Sequence, residues 1–286
     1  MNDSLSGIFG ILVAIIAWGS YTVPLKKAQN LNPLWFQFWL SMGIGARSLA
    51  LGLFRGFAEF PWWGIFSGLV WTAGAACSFL AVQHEGLSGA STRWMGTGIL
   101  VSFLIGVVIL GEKVALVWAL PGVLLLLLGL ILVSRAGDAQ PTAKTSFSPL
   151  RYWRSVFAGT VFGSYLLPLQ WAHVDSFSFV PPMGLGIVIG GVLLLLIKKP
   201  KASLGWRGVS MGCGLAWNLA NVGSLIAVRQ IGFAVGFPLT QLALLVSISW
   251  GIFAFGESNT PRQRRNLLIA AILLLSGAAL LGIAHL

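Results

Sequence analysis

The chain has 286 residues, of which 57% are hydrophobic and only 9% are charged. Soluble domains carry about a quarter charged residues, so this composition excludes an ordinary water-soluble fold. The net charge of +11 would suggest nucleic acid binding in a soluble protein, but here the basic residues are scattered among long apolar runs. The two cysteines, Cys77 and Cys213, have no spacing typical of a disulfide framework or a metal site. Composition therefore predicts a polytopic all-α membrane protein without cofactor or metal.

The apolar runs divide into ten segments, each close to the 20 or so residues that cross a bilayer as a helix. In chain order, the candidate spans are 5–25, 34–54, 62–83, 89–110, 115–134, 152–172, 179–197, 206–228, 233–255 and 265–284. Most connections are short, and a longer polar stretch occurs only near the middle of the chain. The sequence therefore predicts ten transmembrane helices with a central linker.

The two halves of the chain resemble each other. Trp18 begins the octapeptide Trp-Gly-Ser-Tyr-Thr-Val-Pro-Leu, and Phe162 begins Phe-Gly-Ser-Tyr-Leu-Leu-Pro-Leu 144 residues later. Further matches at nearly the same offset pair the glycines at 64 and 68 with those at 208 and 212, and Gly111-Glu112 with Gly256-Glu257. These matches predict a first five-helix repeat over 1–138, a cytoplasmic linker over 139–150 and a second repeat over 151–286. Because each repeat has an odd number of spans, the second enters the membrane from the opposite side, an inverted arrangement typical of secondary transporters.

The distribution of cations predicts the orientation. Connections after the odd-numbered spans, together with the first residues of the spans that follow them, hold thirteen of the eighteen Lys and Arg residues, whereas the connections after the even-numbered spans hold three. The positive-inside rule therefore places the thirteen in the cytoplasm and both termini on the extracytoplasmic side.

Polar and aromatic side chains inside the spans are the candidate site residues, because polar groups are costly in the bilayer. The substrate-binding candidates are Trp18, Tyr21, Trp71, Arg93, Trp94, Tyr165, Trp217, Asn218, Asn221 and Gln241. Trp217 and Asn221 are four residues apart and share a helix face, where an indole ring beside amides suits a polyhydroxylated substrate. The alternative is that the amides bond across packed helices. Arg47 and Arg93 either contact an anionic group of a substrate or satisfy backbone carbonyls in the bundle, and the substrate contact is favoured for Arg93 and the structural role for Arg47.

Two prolines and two carboxylates are candidates for gating and energy coupling. Pro24 and Pro168 lie near the ends of the first and sixth spans, where kinks would serve as paired gates or simply end the helices. None of the seven Asp and Glu residues lies in the middle of a span, so proton coupling has no obvious carrier. Glu112 and Glu257 are possible coupling groups, although they are better placed to pair with neighbouring cations. Facilitated diffusion, exchange and proton symport all remain open, and no catalytic motif argues for an enzyme.

The ten spans, the inverted repeats and the Gly-Glu pair after each fourth span resemble the drug/metabolite transporter superfamily. The first-span octapeptide, the stretch from Gly214 to Asn221 and the stretch from Gly232 to Glu257 are similar to the glucose/ribose porter branch of sugar uptake permeases. This resemblance implies a plasma-membrane carrier of sugars or similar neutral polar metabolites, with a small-molecule substrate and the lipid bilayer as partners. The alternatives are an exporter of amino acids or amphipathic metabolites and drugs, and a membrane receptor or scaffold. The oligomeric state is not readable from the sequence.

Overall fold

Helices form all of the regular secondary structure in the residues that the computed structural model describes, which are 3–24, 31–57, 59–85, 87–137, 152–172, 175–200, 205–255 and 260–285. In chain order the α-helices are α1 (Asp3–Ser20), α2 (Pro33–Arg55), α3 (Trp63–Glu85), α4 (Leu87–Leu104), α5 (Leu116–Gly137), α6 (Trp153–Ser164), α7 (Leu167–Ala172), α8 (Ser176–Lys198), α9 (Arg207–Ile231), α10 (Phe233–Thr240), α11 (Ala243–Ser249) and α12 (Pro261–His285). Strands are absent from these ranges, which confirms the predicted all-α class.

Seven of the described helical segments are long and apolar enough to cross a membrane. They are Trp63–Val82, Gly89–Ile109, Leu116–Ala136, Ser176–Lys198, Arg207–Ile231, Phe233–Ala254 and Pro261–His285. The other three predicted spans correspond to α1, to α2, and to α6 together with α7. The apolar stretch of α1, Leu5–Ser20, is shorter than the seven segments, and α6 and α7 are two separate helices. The fold is therefore that of a polytopic all-α membrane protein, while the count of ten spans stays a prediction.

Large apolar side chains cover much of the helical surface. Phe54 and Phe253 are 88% and 87% exposed, and many Leu, Ile and Val side chains on the outer helix faces are exposed as well. An apolar surface of this extent is unfavourable in water and favourable in lipid. The exposed surface therefore agrees with a multi-pass membrane protein.

Two π-helical segments interrupt the regular helices. Ile105–Ile109 continues α4, and Trp250–Ala254 continues α11, 145 residues later. Each stands just before one of the two Gly-Glu pairs of the sequence. A π-helical turn is rare and is frequently found at functional positions.

The chain separates into two compact units, each built from segments of both sequence halves. The first unit comprises Met1–Ala76 and Tyr165–Gln230, and the second comprises Cys77–Ser164 and Ile231–Leu286. These units are a different division from the predicted repeats, whose boundaries stay a prediction.

In the first unit, polar caps fix the starts of α2 and α8, which pack along each other. Asn32 accepts hydrogen bonds from the backbone N–H groups of the first turn of α2, and Pro33 occupies the first helical position. Asp175 caps α8 in the same way and also accepts a 3.2 Å bond from Arg55 at the end of α2. Because one carboxylate serves both helices, the end of α2 is held beside the start of α8.

In the second unit, α5 and α12 pack closely because glycines face each other. A methyl group added to Gly277 would lie 2.7 Å from the carbonyl oxygen of Gly122, and one added to Gly122 would lie 3.0 Å from that of Gly277. The helices also meet at their ends, where Ala115 N–H donates to the carbonyl of Ala284 at 2.9 Å. Small residues at such a crossing let two backbones approach, which is a usual source of packing energy between membrane helices.

Candidate functional site

Three tryptophan rings, Trp18, Trp71 and Trp217, form an aromatic cluster in the first unit. The ring centroids of Trp217 and Trp71 are 4.2 Å apart, and those of Trp217 and Trp18 are 6.2 Å apart. Trp71 and Trp217 are buried and Trp18 is half-buried. The cluster therefore joins the three helices α1, α3 and α9 through one central ring, that of Trp217.

The cluster forms because α1 and α9 approach each other closely about two helical turns away from the rings. Gly10 of α1 and Gly223 of α9 face each other, and a methyl group on either would lie 2.5 Å from the carbonyl oxygen of the other. From this crossing the two helices carry Trp18 and Trp217 to the same level. A small-residue contact thus positions the larger rings.

Two buried polar atoms, one in the cluster and one on the residue that follows Trp217 in the sequence, have no hydrogen-bond partner among the described residues. They are the indole Nε1 of Trp18 and the side-chain Oδ1 of Asn218. The other end of the Asn218 amide is bonded, because its Nδ2 donates to Ser48 Oγ at 2.8 Å and to the carbonyl of Ile44 at 3.5 Å. Buried polar groups normally have partners, so an unpaired donor and an unpaired acceptor are candidates for contact with a bound molecule.

Asn221 lies on the same face of α9 as Trp217, as predicted, but its polar atoms are bonded within the protein. Its Oδ1 accepts a 3.0 Å hydrogen bond from the hydroxyl of Tyr165, and its Nδ2 contacts the sulfur of Met183 at 3.5 Å. Tyr165 is also held through its backbone, because its carbonyl accepts a hydrogen bond from Ser67 Oγ. Tyr165 and Asn221 are thus close to the cluster and satisfied by protein groups.

In both Gly-Ser-Tyr-x-x-Pro motifs, the helix ends at the serine of the motif. α1 ends at Ser20 and continues as a turn at Tyr21, and α6 ends at Ser164, 144 residues later, and continues as a turn at Tyr165. Pro24 is exposed and Tyr21 is half-buried. Pro168 lies in α7, just after the break in the predicted sixth span. The gating role of the two prolines stays a prediction.

Arg93, Trp94 and Gln241 belong to the second unit, and the other seven substrate-binding candidates belong to the first. Arg93 Nε donates to Glu85 Oε2 at 2.7 Å, and its guanidinium carbon lies 4.3 Å from the ring centre of Tyr152. The Glu85 side chain is 1% exposed, so Arg93 balances a buried carboxylate. Trp94 is half-buried on α4, and Gln241 lies in the turn after α10, where its amide donates to Thr240 Oγ1 at 3.2 Å.

Glu112 caps a helix of the second unit. Its two carboxylate oxygens accept hydrogen bonds from the backbone N–H groups of Phe233 at 2.6 Å and Ala234 at 2.8 Å. A carboxylate at a helix N-terminus satisfies free donors and interacts favourably with the helix dipole. This contact differs from the expected pairing with a neighbouring cation. The other coupling candidate, Glu257, lies outside the described residues.

Sequence reasoning missed Ser48, Ser67 and Met183, which bond to the predicted site residues. Of these three residues, only Ser48 could have been identified from the sequence, because Gln37, Ser41 and Ser48 recur at helical spacing along one face of α2. All three side chains are buried in the structure. No group of His, Cys, Asp and Glu side chains suited to a metal occurs in the described part of the chain.

The chain is similar to known proteins both in sequence and in fold. The profile of the family described as "Sugar transport protein" matches residues 9–284. A "Putative sugar uptake protein" of Streptococcus pyogenes serotype M6 is 27% identical over 293 residues, covering 98% of this chain and 99% of its own length. A relative of the same description from Enterococcus faecalis is 28% identical over 287 residues, covering 95% and 96% of the two chains. One solved structure is similar in fold, with a TM-score of 0.76 at 18% identity over 97% of this chain and 96% of its own.

Proposed function

The chain belongs to the sugar transport protein family, and we propose that it carries a sugar or similar neutral polar metabolite across the plasma membrane by alternating access. The aromatic cluster and Asn218 form the substrate site in this proposal. The relatives from Streptococcus pyogenes and Enterococcus faecalis are described as sugar uptake proteins, which supports a sugar as the substrate.

The observation that carries the proposal is the aromatic cluster with its two unpaired polar atoms. The apolar face of a sugar ring packs well on an indole, while its hydroxyl groups both donate and accept hydrogen bonds. Trp18 Nε1 offers a donor and Asn218 Oδ1 offers an acceptor, and both atoms are buried. A site of this kind binds a neutral polyhydroxylated molecule without needing a charged residue.

The proposal includes two five-helix repeats of inverted topology with both termini extracytoplasmic, and local structure supports the duplication. The helix ends at Ser20 and Ser164 are 144 residues apart, and the π-helical segments Ile105–Ile109 and Trp250–Ala254 are 145 apart. Those offsets match the spacing of the sequence motifs. A duplicated chain of this kind has its substrate site near the membrane midplane, and Trp217 lies near the middle of α9.

The other sequence candidates contribute in different ways. Arg93 is engaged with Glu85, and Trp94 and Gln241 lie with it in the second unit, so their contact with substrate stays a prediction. Because Glu112 is a helix cap, we propose that it stabilises the fold instead of carrying protons. Facilitated diffusion, exchange and symport through another group are all compatible with this assignment.

Uptake into proteoliposomes tests the proposed function. The purified chain should accumulate at least one of a panel of labelled neutral sugars, and Trp217→Ala or Asn218→Ala should raise the half-saturating concentration about tenfold or more, since each removes a main contact. Trp171→Ala is the matched control, because Trp171 is an exposed tryptophan of the same unit outside the cluster. Flux of amino acids or amphipathic compounds alone would favour an exporter, and no flux of any compound would favour a receptor or scaffold.

A further inference from the structure

We propose that Tyr165 is a positioning residue for transport, which anchors the broken sixth span to α3 and α9. Its two anchors are the backbone carbonyl, bonded to Ser67, and the phenol hydroxyl, bonded to Asn221. In this assignment Asn221 also has a positioning role, and Asn218 alone of the two asparagines contacts the substrate. Only the expected effect on transport kinetics rests on the proposed function.

Pro168 explains why the carbonyl of Tyr165 is available. Proline has no backbone N–H, so Pro168 cannot donate to the carbonyl of Tyr165, three residues earlier, as another residue would in a tight turn. The next residue, Leu169, donates to the carbonyl of Leu166 at 3.0 Å. The regular acceptor for Leu169 would have been Tyr165, one turn back in an α-helix. Its carbonyl is therefore released from the helix and accepts a hydrogen bond from Ser67 Oγ, so a side chain of α3 stabilises the break.

The hydroxyl of Tyr165 holds the other side of the break. Tyr165 and Asn221 are both buried, and the hydrogen bond between them joins the turn after α6 to the middle of α9. Asn221 is one helical turn from Trp217, the central ring of the aromatic cluster. Movement of the broken span is thereby transmitted to the helix that carries the proposed substrate site.

The two asparagines differ in what remains available to a ligand. The Oδ1 and Nδ2 atoms of Asn221 both have protein partners, whereas Oδ1 of Asn218 is buried without one among the described residues. A substrate could bond Asn221 only by displacing Tyr165 or Met183. Loss of the Tyr165 hydroxyl is therefore expected to impair movement more than substrate affinity.

Transport kinetics of Tyr165→Phe separate positioning from binding. We expect the maximal uptake rate to fall about tenfold, the effect of losing one buried hydrogen bond from a conformational step, while the half-saturating concentration changes less than about twofold. Ser67→Ala should give the same pattern, because it removes the other anchor. Thr160→Val is the control, since this exposed hydroxyl bonds only the carbonyl of Val156 in its own helix. A Tyr165→Phe protein that behaves like Thr160→Val, or that loses affinity as Asn218→Ala does, would overturn the proposal.

A second measurement does not depend on the substrate. In a Cys77→Ala background, a membrane-permeant maleimide can label only Cys213, which is buried in α9 two turns before Asn221. Without the hydroxyl of Tyr165, α9 should separate from its neighbouring helices more often. Cys213 should therefore be labelled several-fold faster in Tyr165→Phe than in the Cys77→Ala background protein or in Thr160→Val, when the proteins are compared at equal melting temperature. Unchanged labelling would refute the anchoring role even if the wild-type chain transports a sugar. If no sugar is transported, the proposed function fails and the labelling result alone decides the role of Tyr165.

Discussion

Replacement of Glu112 by glutamine should destabilise the protein without removing any dependence of transport on a proton gradient. The carboxylate accepts two backbone hydrogen bonds at the start of α10, at 2.6 Å and 2.8 Å. A glutamine has one acceptor oxygen and one NH₂ group, so one of the two backbone donors would face another donor. The helix start would lose a bond and the favourable charge at its N-terminus together.

The size of the effect follows from these two contacts. Hydrogen bonds to charged groups contribute about 1.5–3 kcal/mol each, and Glu112 is half-buried, which favours the lower part of that range. Losing one such bond while keeping the other predicts a destabilisation of about 2 kcal/mol, which corresponds to about a 30-fold shift in the unfolding equilibrium. The glycine at 232 makes the contact possible, because a methyl group there would lie 2.9 Å from the carboxylate.

Unfolding by SDS in mixed detergent micelles, followed by far-ultraviolet circular dichroism, measures this loss. Lys113→Gln is the matched control, because it removes one charge from the exposed neighbour of Glu112 without touching the cap. Uptake into proteoliposomes with and without an imposed pH gradient completes the comparison. A Glu112→Gln protein of unchanged stability that has lost its response to the pH gradient would refute the capping argument and make Glu112 a coupling group.

Three further substitutions test separate parts of the structure. Arg93→Ala should lower the free energy of unfolding by about 3 kcal/mol because it leaves the buried Glu85 carboxylate unpaired, and addition of Glu85→Ala should recover part of that loss in the same SDS titration. Gly277→Val should force α5 and α12 apart and cost about 1–3 kcal/mol, whereas an unchanged unfolding curve would argue against the close glycine contact. Trp71→Ala should weaken sugar binding about tenfold or more in a titration followed by intrinsic fluorescence, and an unaltered affinity would remove Trp71 from the site.

Features that depend on one helix were predictable from the sequence. The 3.6-residue period placed Trp217 and Asn221 on one face of α9, and the structure has them there. The Gly-Ser-Tyr-x-x-Pro motif indicated a disturbed helix, and a helix ends at the serine of both copies of the motif. Composition alone was sufficient for the all-helical membrane class.

Features that depend on which helices are neighbours were not predictable. Nothing in the sequence near Glu112 indicates that α10 begins beside it, so its capping role required the structure. Glu85 falls between the third and fourth predicted spans, where a solvent-exposed loop residue is expected. In the structure it lies at the end of α3 and is buried beside Arg93 of α4 and Ser155 of α6. Local pattern identifies a polar side chain but not the partner that reaches it from elsewhere in the chain.

The number of spans was harder to predict than their positions. α2 is 23 residues long, but Gln37, Arg47 and Arg55 are spread along its length, and it is not among the segments that are apolar enough to cross a membrane. The sixth predicted span is divided at Tyr165 into α6 and α7. Hydropathy thus decreases where a helix contains polar groups, and helix length decreases where proline interrupts it.

The ion pair between Arg93 and Glu85 has a consequence for how the chain enters the membrane during synthesis. The two residues are only eight positions apart, at the end of α3 and in the second turn of α4. They can therefore pair as soon as both helices have left the ribosome, before α6 has been made. An unpaired arginine in a membrane helix is costly, and pairing with the glutamate removes much of that cost. The ion pair thus lets this part of the chain enter the membrane without an unbalanced charge, before the second half of the chain follows.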